Sequence, residues 1–358
     1  MSASSKIRVG VLFGGQSAEH EISILSARNI VAALDRTRFE PVLVGIDKAG
    51  RWLAQDEQRL IASARDPRAV SIEKGAASSV EQTAARVDVV FPVLHGTLGE
   101  DGAMQGLLEV AGIPYVGAGV LGSAVGMDKD VMKRLLRDAG IPITPFETIR
   151  SDRFEADPVT VCREVAKLGF PLFTKPANAG SSVGIRKVKS AGELEDAIRF
   201  AFRYDVKVVV EAGVTAREIE FAVLGGNPAT VSVAGEIVVE HKDGFYSYDA
   251  KYLDEKGARL ELPAKLSADE LKQAQAMALQ TFEVLECDGL ARVDLFLTGD
   301  GELLVNEINT LPGFTAISMY PKLWALSGLT QTELITRLID LAIRRADRRK
   351  AIWKNFGA

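Results

Sequence analysis

The sequence predicts an α/β protein that opens with a parallel sheet and continues into a smaller α/β unit and a mixed sheet. Three observations predict it. Strand-length apolar runs alternate with helix-period segments through the first third, to about residue 120. A shorter alternation of strands and helices fills the middle. The last third ends on a hairpin signal, Asp300-Gly301 between two alternating segments.

In order along the chain, Ile7 to Phe13 is a buried-strand run that stops at Gly14-Gly15. Ile24, Ala27, Ile30 and Leu34 recur at helical spacing, and Pro41 to Ile46 reads as a second strand. Residues 61–86 are polar and rich in Ala and Ser, with no clear period. Val87 to Leu94 is a further buried strand, followed by a Gly-rich turn and the helical set Met104, Leu107, Leu108 and Ala111. Asp128 to Ala139 reads as a helix with Val131, Met132, Leu135 and Leu136 on one face. Gly140 and Pro142 stop it. Strands are expected near 170–175, 183–188 and 206–211, with a helix around 191–203. Glu218 to Leu224 alternates as a strand. Residues 240–258, rich in Tyr, Lys, Asp and Gly, show no period and read as a functional loop. Ser267 with Glu270 makes a capping box for a helix over 268–286.

Composition narrows the function. The 358 residues are 47% apolar and 25% charged, with 43 basic against 48 acidic side chains and a net charge of -5. No basic stripe marks a nucleic-acid or anionic-membrane partner. The longest apolar runs are too short to span a bilayer, and the N-terminus has no signal-peptide pattern. The two cysteines, Cys162 and Cys287, lie far apart and outside any CxxC or His-rich context, which argues against a disulfide framework or a zinc site and fits a reducing cytoplasm. Cys287, near a helix end, reads as a core residue.

The hairpin carries the first chemistry. With Asp300-Gly301 as a two-residue turn, Asp294 faces Glu307 and Arg292 faces Asn309. Side chains two apart share a face. Those four then converge, while Val293, Leu295 and Leu297 point away. Two carboxylates, an amide oxygen and a guanidinium make an oxygen cage for Mg²⁺ beside an anion-binding arginine. The same face also reads as a solvated strand with a salt bridge. The sequel, Thr310-Leu311-Pro312-Gly313-Phe314-Thr315, favours the site.

The segment 174–184 (TKPANAGSSVG) ends a strand on Lys175 and continues as a small-residue loop with two hydroxyls. It suits phosphates, the lysine supplying charge and the backbone N–H groups neutral donors; alone it equally describes a flexible hairpin loop. It lacks the GxxxxGK[ST] spacing of a Walker A loop. Residues 14–21 (GGQSAEHE) follow the first strand and open a helix, a usual ligand position in a parallel sheet. Glu19 there suits an ammonium, or merely complements a helix N-terminus. His95, in HGTLGEDG (95–102), sits at the end of a later strand of the same sheet and reads equally as a ligand or a structural histidine. The literal GxGxxG of Gly117, Gly119 and Gly122 is a weak dinucleotide signal. Pro114 spoils the strand before it and Gly126 weakens a helix after it. A nicotinamide-dependent dehydrogenase is accordingly the remote alternative.

Taken together, these segments resemble the D-alanine–D-alanine ligases of the ATP-grasp superfamily, from about residue 7 to residue 345. The matching pieces, in family order, are GGQSAEHEIS (14–23), LHGTLGEDGAMQGLLE (94–109), MDK (127–129), TKPANAGSSVGI (174–185), FYSYDAKY (245–252), ARVD (291–294) and NEINTLPGFT (306–315). The resemblance implies an ATP-grasp fold. Its parts would be an N-terminal substrate-binding α/β domain over 1–125, a central subdomain over 126–214 and a C-terminal metal-binding subdomain over 215–358, with ATP between the last two.

It implies the following roles. ATP would be held by Lys129, Lys175, Ser182 and Asn306, with Glu211, Ala212 and Val214 bordering the adenine and Glu218 on the ribose. Two Mg²⁺, replaceable by Mn²⁺, would be held by Asp294, Glu307 and Asn309. Glu19 would bind the ammonium of the first D-alanine and His95 would lie near its carboxylate. Arg292 with the Gly313 N–H would take the oxyanion. Ser318, Met319 and Lys251 would surround the second D-alanine, while Ser181 and Tyr252 would link to Glu19. The reaction implied is ATP-dependent ligation through an acyl phosphate, for peptidoglycan precursors, in a cytoplasmic homodimer. Another ligase of the superfamily, such as one making D-alanyl-D-lactate, is the nearer alternative. Thr174 departs from the pattern, which has an apolar residue there.

Overall fold

A computed structural model describes residues 6–63, 66–226, 228–239 and 258–352. The expected loop over 240–258, with Lys251 and Tyr252, lies outside the described residues but for its last position.

The first sheet follows from the apolar runs. Strand β1 (Ile7–Gly14) lies between β2 (Phe39–Ile46) and β4 (Val89–Val93), parallel to both, with β3 (Trp52–Ala54) antiparallel on the β2 edge. Val9, Val11, Leu12 and Phe13 are all at most 1% exposed. A strand buried on both faces reads as a continuous apolar run. Helices α1 (His20–Ala33), α2 (Glu57–Ala62), α3 (Val80–Ala84), α4 (Ala103–Val110) and α5 (Val120–Met127) accompany it. The unpatterned stretch 61–86 thus holds α3, a single turn at 67–69 and a bridge from Ala77 to Leu53.

Helix α6 (Lys129–Asp138) starts where expected, with Asp128 capping it by accepting the Val131 N–H at 3.1 Å. A second sheet follows, antiparallel throughout, in the order β5 (Phe146–Arg150), β8 (Lys207–Ala212), β6 (Leu172–Pro176), β7 (Arg186–Val188). Helices α7 (Ser151–Ala156), α8 (Pro158–Val165) and α9 (Ala191–Ala201) cover it. Strand β5 and helices α7 and α8 carry no long apolar period, so the sequence does not announce them. Thr174, the departure from the pattern, is buried, and its hydroxyl donates to Ala197 O at 3.4 Å.

The third sheet runs β12 (Ala258–Glu261), β11 (Gly235–Val239), β9 (Ala216–Gly225), β13 (Gly289–Thr298), β14 (Leu303–Asn309), with β10 (Ala229–Val231) on β9. The chain continues through α10 (Ala268–Val284), α11 (Met319–Leu326) and α12 (Gln331–Lys350). Helix α10 has the expected capping box.

Two expectations are corrected. The hairpin turn is longer than two residues: Thr298 N–H donates to Glu302 O and Leu297 pairs with Leu303. The register then slips between Asp294 and Leu295, leaving Asn306 without a partner on β13. That bulge restores the pairs Asp294–Glu307 and Arg292–Asn309. The second correction concerns α5, which does form after the GxGxxG. Its glycines are contact surfaces: a Cβ on Gly122 would lie 2.4 Å from Glu286 O, and one on Gly126 would lie 2.8 Å from Thr310. Close packing offsets their poor helix propensity.

One core joins β1, β4 and α1 to α11, α12 and the inner face of β9, with Phe91 edge-on to Phe314 at 5.8 Å. A second lies between the third sheet, α6 and α10. The middle sheet has a core of its own, around Phe154, Leu172, Ile198 and Val208. Among the described residues no helix is long and apolar enough to cross a membrane.

Candidate active site

Two neighbouring cavities collect nearly all the residues singled out in the sequence. The larger, about 550 Å³, lies between the second and third sheets and is lined by Lys175, Ser182, Glu211, Ala212, Val214, Glu218, Asp294 and Asn306. The smaller, about 130 Å³, is lined by Glu19, His95, Lys129, Ser181, Arg292, Asn309, Gly313, Ser318 and Met319. Both touch Glu220 and Glu307, on the cavity-facing side of the third sheet.

That face is strand-built. Arg292 donates from Nε and from one terminal nitrogen to the two oxygens of Asp294, each at 2.7 Å, and lies 3.2 Å from Glu220. Burial alone lowers the guanidinium pKa, but Asp294 and Glu220 outweigh it and hold Arg292 firmly charged. Val293, Leu295 and Leu297 lie in the core behind, as the alternation requires. Glu220 is a site residue that the motifs do not include. Its signal is present in Glu218-Ile219-Glu220, whose carboxylates share a face by strand parity.

Asp294, Glu307 and Asn309 fit Mg²⁺ by donor chemistry: two carboxylates and an amide oxygen on paired strands. Magnesium commonly takes one or two protein carboxylates and fills its remaining positions with water and phosphate oxygens. Among the described residues there is no competing cluster of three His, Cys, Asp or Glu.

The floor of the larger cavity is a buried ion network. Glu211 Oε2 accepts Lys175 Nζ at 3.0 Å and the Thr144 hydroxyl at 3.0 Å, with Lys133 Nζ at 3.4 Å. Burial pushes Glu211 up, but Lys133 and Lys175 outweigh it and hold it at about 2. Its Oε1 is buried without a hydrogen-bond partner among the described residues, an acceptor at the cavity end where a donor is wanted. Lys175 Nζ also reaches Asn306 Oδ1 at 3.5 Å, so the bulged residue faces the lysine. Lys133, wholly buried and 2.9 Å from Thr144 Oγ1, has no mark in the sequence, because on a helix it reads as an ordinary surface lysine.

The rest of the smaller cavity is assembled largely from turns and the ends of elements. Glu19 precedes α1 and accepts the Ser181 hydroxyl from the loop after β6. Ser181 and Ser182 have φ of 49° and 57°, a left-handed conformation that is uncommon for serine and strained by roughly 1–2 kcal/mol per residue. Lys129 Nζ donates to Ala179 O at 2.7 Å, tying α6 to the same loop. Burial lowers its pKa. Ser318 stands at the start of α11, and its hydroxyl accepts the Thr315 N–H at 2.9 Å. A Cβ on Gly313 would lie 2.9 Å from that hydroxyl, so Gly313 leaves its backbone accessible only as glycine.

His95 answers one open alternative in part. Its Nδ1 lies 3.0 Å from Leu311 O, which can only accept, so Nδ1 carries the proton. Burial lowers its pKa, so the ring is neutral, and Nε2 accepts from the Ser26 hydroxyl at 3.3 Å. Both nitrogens are engaged by the protein while the ring lines the cavity. Cys287 lies at the edge of the second core, and burial with Asp288 and Glu286 pushes its thiol up, away from nucleophilic use.

Comparison with known proteins agrees across the chain. Residues 8–118 match the family model "D-ala D-ala ligase N-terminus" and residues 135–340 match "D-ala D-ala ligase C-terminus". The chain is 52% identical over 366 residues to D-alanine–D-alanine ligase A of Chromobacterium violaceum, covering 98% of this chain and 99% of that protein. It is 50% identical over 356 residues to D-alanine–D-alanine ligase A of Escherichia coli (strain K12), covering 95% and 96%. Among solved structures, the D-alanine–D-alanine ligase of Coxiella burnetii superposes with a TM-score of 0.83 at 39% identity, covering 97% of each chain. The VanG D-Ala:D-Ser ligase of Enterococcus faecalis gives 0.80 at 35% identity, covering 94% of this chain and all of that one.

Proposed function

The chain belongs to the D-alanine–D-alanine ligase family, and from that premise we propose how its own residues divide the work of an ATP-dependent ligase. The reaction joins two D-alanines into the dipeptide used in peptidoglycan, with ATP going to ADP and phosphate. A carboxylate does not react with an amine, because oxide is no leaving group. Transfer of the γ-phosphoryl group to the first D-alanine gives an acyl phosphate. The amine of the second attacks its carbonyl, and phosphate departs from the tetrahedral intermediate.

Lys175, Asn306 and the Ser182 loop hold the phosphates in the larger cavity, with Lys129 reaching them from the smaller one. Glu211, Ala212 and Val214 border the adenine and Glu218 takes the ribose. Asp294, Glu307 and Asn309 hold Mg²⁺, or Mn²⁺ in its place; bound there, the metal neutralises phosphate charge. Glu19 takes the ammonium of the first D-alanine, and the neutral His95 ring shapes the wall beside its carboxylate. Arg292 and the Gly313 N–H stabilise the oxyanion, a contribution of roughly 3–4 kcal/mol per donor in such sites. Ser318 and Met319 receive the second D-alanine with Lys251, and Tyr252 joins Ser181 and Glu19. Keeping water from the acyl phosphate falls to residues 175–184 and to residues 240–258. The observation that carries this reading is Arg292: a half-buried, charged guanidinium on the one sheet face that both cavities share.

Residues 1–125, 126–214 and 215–358 act as the three functional units, and the enzyme works as a cytoplasmic homodimer. The second substrate is D-alanine rather than D-lactate, since Tyr252 adds no cation to repel an incoming ammonium. The test is product analysis with ATP, Mg²⁺ and D-alanine, with D-lactate in competition from pH 6 to 9. The dipeptide with ADP is expected. Mainly D-alanyl-D-lactate near neutral pH overturns the second-substrate assignment, and AMP with pyrophosphate overturns the mechanism.

A further inference from the structure

Glu100 has no part in the roles above. It sits in the turn after β4, 6% exposed, and lines the smaller cavity. Its Oε1 accepts the Gly96 N–H at 2.9 Å. Its Oε2 is buried with no hydrogen-bond partner among the described residues. A buried carboxyl oxygen left unpaired is destabilising, and a cation brought beside the carboxyl offsets that cost. Glu19 is close at hand: a Cβ built on Gly180 would lie 2.9 Å from Glu19 Oε2 and 3.6 Å from Glu100 Oε1. Two carboxyls therefore converge beside Gly180, in the lining of the cavity. An ammonium has three N–H donors, and one oxygen of Glu19 already accepts the Ser181 hydroxyl. A single carboxyl does not meet that demand.

We propose that Glu100 is a second binding residue for the ammonium group of the first amino acid, acting together with Glu19. The proposal rests on the assignment of Glu19 to that ammonium.

The charged groups facing Glu100 are Glu19 from the turn before α1, Lys129 from α6 and Arg292 from β13; His95 in its own turn is neutral. Burial first, and then Glu19, raise the Glu100 pKa above its ordinary value, against the pull of the Gly96 N–H, Lys129 and Arg292. Before a cation enters, these surroundings favour its protonated form. An incoming cation favours the carboxylate, so amino-acid binding releases a proton from Glu100 to solvent. The sign follows. A group whose pKa is high in the free protein and lower in the complex gives weak binding at low pH and full binding once pH exceeds the free-protein value. First-site affinity therefore rises with pH.

Glu100→Gln separates binding from structure, because its amide oxygen can keep the Gly96 hydrogen bond while the negative charge is lost. D-Alanine is titrated calorimetrically into the full-length protein holding Mg²⁺ and a non-hydrolysable ATP analogue, in buffers of differing ionisation enthalpy. First-site KM is measured alongside. The unsubstituted protein is expected to show a buffer-dependent heat that reports proton release. Glu100→Gln is expected to lose it and to raise first-site KM about tenfold, the effect of one charge-assisted hydrogen bond, with the KM for ATP held. Glu19→Gln is expected to raise first-site KM as well. Buffer-independent heat in the unsubstituted protein overturns the proposal even where the variant does not fold. A raised first-site KM in Glu19→Gln with none in Glu100→Gln overturns the Glu100 role alone, whereas no change in Glu19→Gln removes the premise and the proposal together.

Discussion

The larger cavity takes its charged groups from strands, while the smaller adds groups from turns, Glu19 and Glu100 among them, to the strand face it shares. Lys175 is on β6, Glu211 on β8, Glu218 on β9, Asp294 on β13 and Asn306 on β14. Lys175, Glu211, Glu218 and Asp294 are held in paired ladders, Asn306 sits at the bulge between two paired residues, and Glu211, Glu218, Asp294 and Asn306 each have an apolar neighbour in a core. Glu19, His95, Ser181 and Gly313 instead stand at the ends of elements or between them, and hold one another through Ser181–Glu19 and His95–Leu311 contacts. Parity along a strand places side chains without reference to the rest of the chain. Turn residues acquire their positions only when separate units meet. The strand-built cavity is accordingly expected to tolerate substitution without rearranging, and the turn-built one to answer it through substrate affinity.

The largest test of that contrast is Glu307→Gln. The side chain has nearly the same shape, so the sheet is expected to stay intact, with thermal unfolding within a few degrees of the parent. Turnover at limiting Mg²⁺ is expected to fall about a hundredfold or more, partly restored by excess metal. Equal turnover at limiting Mg²⁺ would show that the hairpin face is merely solvated.

Next in size is Lys133→Met, which removes a buried cation from Glu211. Breaking a buried pair on one side costs about 3 kcal/mol, here moderated because Lys175 remains. The pH dependence has a definite sign. Glu211 is depressed to about 2, so its contribution to stability is complete above the unfolded carboxylate value and fades as pH falls towards about 2. Without Lys133 the folded pKa rises, and acid unfolding is expected to begin at higher pH. Melting curves from pH 2 to 6 check this; coincident acid limbs for the two proteins would contradict the network.

The smallest effect expected is that of Ser181→Ala. It removes the hydroxyl that ties the loop to Glu19 and leaves the cores untouched. First-site KM is expected to rise about tenfold, with turnover at saturation within a fewfold and melting temperature unchanged. Loss of stability in place of affinity would mean that the turn-built cavity is as rigid as the strand-built one.

Much of the site is legible in the sequence because chemistry and period coincide in it. Strand alternation alone puts Arg292 and Asp294 on one face, and the apolar residues between and beyond them go to the core as required. The facing strand is a different matter. The expected two-residue turn yields the right partners for the wrong reason, since a longer turn and a bulge offset each other. The bulge has no signature in residue type, because Asn306 is extra only relative to the neighbouring strand. Glu220 is legible by parity with Glu218, whereas Lys133 and Thr144 are not legible at all. They lie outside the second sheet and meet Glu211 only where α6 and the segment after it pack against that sheet.

The sequence by itself determined the local elements and the inventory: the buried parallel strands, the capped helices, the carboxylate-bearing hairpin, and the motifs whose order identifies the family. These depend on interactions between residues near in the chain, whose geometry has period two or 3.6. Tertiary structure alone decided the register at Asn306, the neutral state of His95, the ionised state of Glu211 and the meeting of Glu19 with Glu100. Each of these depends on burial and on charges brought from distant positions, and neither desolvation nor Coulomb interaction has any value until the chain has folded.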